Sequence, residues 1–266
     1  MIKPLDALYN LIPKECFSWL QRIIVTFRFA FVLEFMHSNK PVPYLIRNLD
    51  AAHKMVDKDY NPVLFDFSMI SGGILIDRKD LLNQYVHGCY GFVDPSLSQG
   101  GWSEKCDVFA YGVLLLGLIM KRVYTDEDRT NNAPFVYELS NSMYNSKDNS
   151  TLVHQSLESE PFFYSTDGIP ITKLALLCVD YNPQKRPTMK ASKECEMMRI
   201  LSSEDLSFFT NGFSEENFIG DIQFGRPSHG EMEGRKVIVK TWDKGQEHPF
   251  NIYTGEHEVR LKIGFD

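Results

Sequence analysis

Leu45-Ile46-Arg47-Asn48-Leu49-Asp50-Ala51-Ala52-His53 is followed at Leu64-Phe65-Asp66-Phe67-Ser68 by a second motif, and the spacing of the two decides how the chain reads. Neither motif means much alone, because an Asp-Phe pair is commonplace and an Arg-Asn pair recurs in surface loops. The order carries the weight. Gly88-Cys89-Tyr90-Gly91-Phe92-Val93-Asp94-Pro95-Ser96 comes next. Then come Ser103-Glu104-Lys105-Cys106-Asp107-Val108-Phe109-Ala110-Tyr111-Gly112-Val113-Leu114-Leu115-Leu116 and, further on, Cys178-Val179-Asp180 with Pro183-Gln184-Lys185-Arg186-Pro187-Thr188-Met189.

In that order they resemble protein kinases. The first two elements are similar to H-R-D-L-x-x-x-N and D-F-G, in which the first Asp takes the substrate hydroxyl's proton while the Asn and the second Asp hold magnesium. The third resembles G-T-x-G-Y-x-x-P-E, the end of an activation segment. The fourth resembles the S-D-V-Y-S-F-G-V-x-L-x-E helix of plant receptor-like kinases, and the fifth C-V-x-x-x-P-x-x-R-P-T-M. Residues 17–200 resemble plant receptor-like cytoplasmic pseudokinases of the ZRK type, related to wall-associated receptor kinases, which often carry D-F-S for D-F-G. The resemblance implies an α+β, protein-kinase-like fold: a mainly helical C-lobe followed by an incomplete β-rich segment like an N-lobe.

The chemical groups are largely replaced. Asn48 stands at the base position, and an amide has no basic lone pair at neutral pH, so it orients a hydroxyl without accepting its proton. A positioned general base contributes roughly 10²- to 10⁴-fold in rate. His53 offers imidazole nitrogen where Mg²⁺ prefers oxygen in octahedral geometry. Asp50 replaces the usual phosphate-facing lysine and is expected to repel phosphates, and Cys89 stands where the family has a Thr facing the base. Asp66, the magnesium position, survives. By resemblance the cofactors are ATP and Mg²⁺, with binding weak or absent.

The net charge of −7 and pI near 5.5 argue against nucleic acid as a partner, since phosphate binding needs a basic face. Cys16, Cys89, Cys106, Cys178 and Cys195 form no C-x-x-C pair and read as free thiols in a reducing compartment. Met1-Ile2-Lys3-Pro4-Leu5 lacks a signal peptide's apolar centre, and Ile2 stands where myristoylation needs Gly. Residues 20–35 are broken by Gln21, Arg22, Arg28 and Glu34, and 108–120 fall short of the roughly 20 residues a bilayer needs. No transmembrane segment is expected. The expected location is the cytoplasm, with peripheral attachment to the plasma membrane through partners.

Ser18 with Gln21 forms a capping-box pattern, and Leu20, Ile23, Ile24, Phe27, Phe31 and Phe35 follow at helical spacing until Pro41 and Pro43. In the family this helix runs under the catalytic loop, so residues 1–16 read as an N-terminal segment and 17–201 as a C-lobe that begins at its floor, without hinge or preceding N-lobe. Residues 108–120 are apolar nearly all round and predict a surrounded helix. Asp107 at its head has two readings: by resemblance it accepts hydrogen bonds from the catalytic-loop backbone, and by position it is a carboxylate favoured by the helix dipole. Residues 125–167 read as loop and short helix, and 174–179 and 191–201 as the last helices.

Residues 202–215 form a Ser-, Glu- and Asn-rich linker, and 216–266 a partial N-lobe-like segment. There Phe218-Ile219-Gly220-Asp221-Ile222-Gln223-Phe224-Gly225 and Val237-Ile238-Val239-Lys240 resemble the Gly-rich hairpin and the V-A-I-K strand, in reversed lobe order. The resemblance makes Gly220, Gly225 and Lys240 nucleotide-binding positions, with Glu258 or Glu256 as the lysine's partner. Ile222 replaces the middle Gly and would crowd phosphates. The histidines lack metal-ligand spacing. Ser68, Ser71, Tyr85 and Tyr90 are hydroxyls of the activation segment open to phosphorylation.

Two functions stay open. One is a pseudokinase scaffold whose partners, by resemblance, are signalling proteins: active receptor-like cytoplasmic kinases and immune receptors in plant immunity. The other is an ATP-dependent serine/threonine kinase of weak activity. One structural expectation separates from both: in the family Arg186 pairs with the P-E glutamate, here Ser96, and Asp94 is the substitute expected to meet it.

Overall fold

A computed structural model describes residues 6–39, 41–47, 49–51, 54–57, 60–64, 67–75, 89–98, 101–145, 150–160, 163, 165–192, 207–208, 210–218, 226–232, 235–241 and 260–261. The chain divides into two compact units, Met1–Met198 and Arg199–Asp266, and both mix helix with strand, an α+β composition taken together.

The first unit is built on two long helices. Helix α2 (Trp19–His37), preceded by a short α1 (Leu8–Leu11), starts at a reciprocal cap in which Gln21 N–H donates to Ser18 Oγ (3.3 Å) and Ser18 N–H to Gln21 Oε1 (3.0 Å). Its buried face differs from the stripe read in the sequence. Leu20 and Ile23 are buried, but Phe31 and Phe35 are 51% and 77% exposed, and the core is met by Trp19, Arg22, Thr26, Phe29, Ala30 and Leu33. The reason lies in two polar residues that hydrophobicity alone assigns to solvent. Arg22 donates Nε to Phe17 O (2.7 Å), Nη1 to Leu118 O (3.0 Å) and Nη2 to Lys14 O (3.0 Å), and Thr26 Oγ1 donates to Arg22 O (2.8 Å). With each of its three nitrogens hydrogen-bonded, burial of the guanidinium becomes tolerable, though desolvation still lowers its pKa to about 10.

Helix α3 (Glu104–Met120) is buried from Cys106 to Ile119, as its apolar sequence predicts. Each buried Leu or Ile there contributes about 1.5–3 kcal/mol. At Gly112 an added Cβ would fall 2.6 Å from Cys178 Cβ and 2.8 Å from Val179 Cγ1, so this glycine allows α3 to approach the end of the later helix Ser165–Cys178. Three short helices lie between them: α4 (Asp126–Thr130), α5 (Val136–Met143) and α6 (Gln155–Glu158), which makes the Ser165–Cys178 helix α7. Of the helix expected over 191–201, residues 193–201 lie outside the described ones.

A small antiparallel sheet joins β1 (Asp6–Ala7), β2 (Lys54–Val56) and β3 (Pro62–Leu64), with Ala7 opposite Met55 and Met55 opposite Val63. Residues 6–12, set apart in the sequence reading, thus supply a strand and bury Leu8 and Ile12. The second unit contains an antiparallel sheet of β4 (Arg226–Met232), β5 (Arg235–Thr241) and β6 (Arg260–Leu261). Its hairpin pairs Met232 with Arg235 and Pro227 with Lys240.

Candidate functional site

The loop after α2 is held from below by α3. Asp107 Oδ2 accepts from Ile46 N–H (2.8 Å) and Oδ1 from Arg47 N–H (2.9 Å), and His37 Nε2 lies 3.1 Å from Oδ2. Both readings of Asp107 therefore hold, since it also sits in the first turn of its helix. On the other side Leu45 and Ser71 exchange backbone hydrogen bonds of 2.8 and 3.0 Å. Between these anchors Arg47 takes a left-handed backbone, φ 63°. Its side chain is only 4% exposed, and among the described residues Nε, Nη1 and Nη2 find no hydrogen-bond partner. The guanidinium carbon lies over the Trp102 ring, 5.2 Å from its centroid, a favourable contact. Burial lowers the pKa of Arg47, against the opposing pull of Asp107 and Cys106.

Asn48, His53 and Asp66 lie outside the described residues, as do Gly220, Gly225, Glu256 and Glu258. Lys240 is placed on β5, opposite Pro227 on one side and Arg260 on the other. Asp50 is described, and its setting differs from the expected one. Instead of facing a groove it is 1% exposed and bonded to the Cys89 side chain. Burial together with the bond and charge of Asp50 pushes the Cys89 thiol up to about 12, although Lys54 pulls the other way. Lys54, at the head of β2, is fully buried. Sequence reading missed it; the one signal was a lysine opening the apolar run Lys54-Met55-Val56.

The next segment is set by aromatic packing. Gly91 has φ +85° and lies so close to Phe135 that a Cβ would come within 3.1 Å of the ring. Tyr90, exposed, lies 5.2 Å from the Phe135 ring and 5.9 Å from Tyr124, beneath the Arg129 guanidinium at 4.9 Å. Ser68 is also exposed, whereas Ser71 is buried and so closed to modification; Tyr85 lies outside the described residues.

Asp94 meets Arg186 as expected. Both carboxylate oxygens accept from the guanidinium, Nη2 to Oδ1 at 2.9 Å and Nη1 to Oδ2, and Ser96 N–H donates to Oδ1 at 2.9 Å. Arg186 also donates Nε to Asp180 O (2.7 Å) and Nη1 to Lys105 O (2.9 Å), and covers the Phe109 ring at 5.0 Å. Burial raises the Asp94 pKa, but the Arg186 bond, the Ser96 amide and the Arg186 charge outweigh it and hold the carboxyl below its ordinary range.

Among the described residues no helix is long and apolar enough to cross a membrane, and no three His, Cys, Asp or Glu gather as a metal site.

No protein-family model matches the chain. Curated relatives do. A probable LRR receptor-like serine/threonine-protein kinase of Arabidopsis thaliana is 28% identical over 217 residues, covering 81% of this chain and 24% of the relative. The serine/threonine-protein kinase BIK1 of the same plant is 28% identical over 173 residues, 64% of this chain and 43% of the relative. Wall-associated receptor kinase-like 4, also from Arabidopsis thaliana, is 26% identical over 243 residues, 89% of this chain and 30% of the relative. The chain therefore spans between 24% and 43% of the length of these three. The relatives are plant receptor-like serine/threonine kinases, which supports a kinase-like signalling protein of the protein kinase superfamily.

Proposed function

We propose that this chain is a catalytically impaired pseudokinase of the ZRK type that acts as a binding scaffold in plant receptor-like kinase signalling. The observation that carries the reading is a frame kept around replaced chemistry. Asp107 still ties down the backbone of Ile46 and Arg47, yet the next residue is Asn48 and the carboxylate of Asp50 is buried on Cys89. The ion pair of Arg186 is likewise maintained, through Asp94.

These residues do not fit a nucleotide with magnesium. Where a lysine would meet phosphate there is a buried carboxylate, and of the expected metal ligands only Asp66 offers the hard oxygen that Mg²⁺ requires. ATP and Mg²⁺, implied by the kinase relatives, are accordingly assigned weak or absent binding. Residues 17–201 form the C-lobe-like domain, 202–215 the linker and 216–266 an N-lobe-like segment, a reading supported by the hairpin of β4 and β5 with Lys240 on the second strand. Partners are active receptor-like cytoplasmic kinases and immune receptors, met in the cytoplasm or at the plasma membrane surface.

The second reading is a weak serine/threonine kinase. It is favoured by the relatives, which are named as serine/threonine-protein kinases, and phosphoryl transfer rests mostly on positioning and charge stabilisation. Incubation of the purified chain with radiolabelled ATP and Mg²⁺ separates the two. The scaffold predicts no incorporation above background; incorporation that disappears in Asp66→Ala restores the enzyme.

A further inference from the structure

We propose that Asp50, Lys54 and Cys89 form one buried ion-pair cluster that fastens the 45–56 loop and strand to the 89–98 segment, making Asp50 a positioning residue and Lys54 its counter-ion. This holds whether or not the chain transfers phosphate. Asp50 and Lys54 are 1% and 0% exposed, and such residues are almost never that deeply buried unless paired. Neither leaves a buried polar atom without a partner. Both also bear on the same group: Asp50 accepts from the Cys89 thiol, and the Lys54 charge acts on that thiol in the opposite sense. Two opposite charges, both withdrawn from water and both within reach of one sulfur, satisfy each other at least cost when they meet.

The arrangement inverts what the sequence suggests. Asp50 reads as a carboxylate set against phosphates, but Lys54, four positions on at the start of β2, supplies the cation that draws it inward. Cys89 is the donor that extends the pair to the next segment. Because it precedes Tyr90 and Gly91, the cluster fixes the chain where the Tyr90, Tyr124 and Phe135 rings pack. A hydroxyl at position 89 makes the same donation, so Cys89→Thr is expected to be tolerated, whereas Cys89→Ala leaves the carboxylate one donor short.

Two measurements on the full chain test the cluster. In thermal unfolding, Asp50→Asn and Lys54→Met each lower Tm by roughly 6–20 °C, the loss expected from a broken buried pair in a unit of this size, and the double substitution recovers most of it. A double substitution that loses the sum of the singles overturns the pairing. Where a single variant fails to fold, the double decides: it folds if the charges serve each other and fails if they serve separate partners. The second measurement is the iodoacetamide labelling rate of Cys89 at fixed alkaline pH, followed by mass spectrometry. Removing the Asp50 charge accelerates labelling, because the Cys89 thiol then ionises more readily, while removing the Lys54 charge slows it. Simple loosening of the structure would accelerate both, and that outcome, or no change in either, rejects the cluster.

Discussion

Two buried arginines, Arg186 and Arg47, stand in opposite circumstances. Arg186 gives four hydrogen bonds to Asp94, Asp180 and Lys105 and rests on Phe109, so its charge is answered inside the protein. Arg47 is nearly as buried, but its three nitrogens have no hydrogen-bond partner among the described residues, and its guanidinium lies over the face of Trp102. Its backbone, by contrast, is held by Asp107 in a left-handed conformation that favours glycine. The difference separates two kinds of constraint. At Arg186 the side chain builds the frame; at Arg47 the frame dictates the backbone and the side chain is carried along at a cost in free energy.

The comparison breaks most visibly at Asp94. Asp94→Ala strands the Arg186 guanidinium away from water, and the expected loss is about 3–5 kcal/mol in urea-induced unfolding. A loss below about 1 kcal/mol would mean that Asp180 and Lys105 carbonyls suffice and that the ion pair is dispensable.

Acid should reach the same pair. The Asp94 carboxyl is held below its ordinary range when folded, so its contribution is fully present above the unfolded value, about 3.9, and is lost as pH falls through the folded value. Tm of the wild-type chain should therefore drop more steeply on acidification below about pH 4 than that of Asp94→Asn, which has no such carboxyl to protonate. Parallel profiles would place the acid-sensitive groups elsewhere.

At Arg47 the effect should reverse in sign. Arg47→Met removes donors that have no acceptor among the described residues while keeping a flexible apolar stem, and a gain of about 1–3 kcal/mol is expected. A loss instead would reveal an acceptor for Arg47 and would make the two arginines alike.

Parts of this contrast were legible in the sequence. The frame was, because helix α3 is apolar on all sides, Ser18 and Gln21 form a recognisable cap, and a buried guanidinium opposite Ser96 demands an acceptor that only Asp94 offers nearby. What escaped was burial of charge. Pattern reading sends Arg22, Lys54 and Asp50 to solvent, but backbone carbonyls answer Arg22, Asp50 bonds to the Cys89 side chain, and Lys54 is buried as well. The same rule put Phe31 and Phe35 inside, although Arg22 and Thr26 had taken the buried face of α2. Of the site residues, Asp50 and the backbone of Lys240 are placed by the structure, and only Asp50 in a setting that its neighbours explain.

The smallest expected effect is also the most selective. Ser96→Glu restores the carboxylate that the kinase resemblance puts at this position, and naive counting would credit it with a new buried ion pair. Four of the five N–H donors of Arg186 are already placed: Nη1 and Nη2 are on Asp94, Nη1 also reaches Lys105 O, and Nε reaches Asp180 O. Ser96 itself contributes its N–H to Asp94 Oδ1, and a glutamate keeps that amide. A second carboxylate beside Asp94 meets like charge as well as the arginine, so attraction and repulsion largely offset. The change in unfolding free energy should stay within about 0.5 kcal/mol, as for an ordinary surface substitution. A clear rise in Tm would show that Asp94 only partly answers Arg186, and would shift this site toward the unanswered state of Arg47.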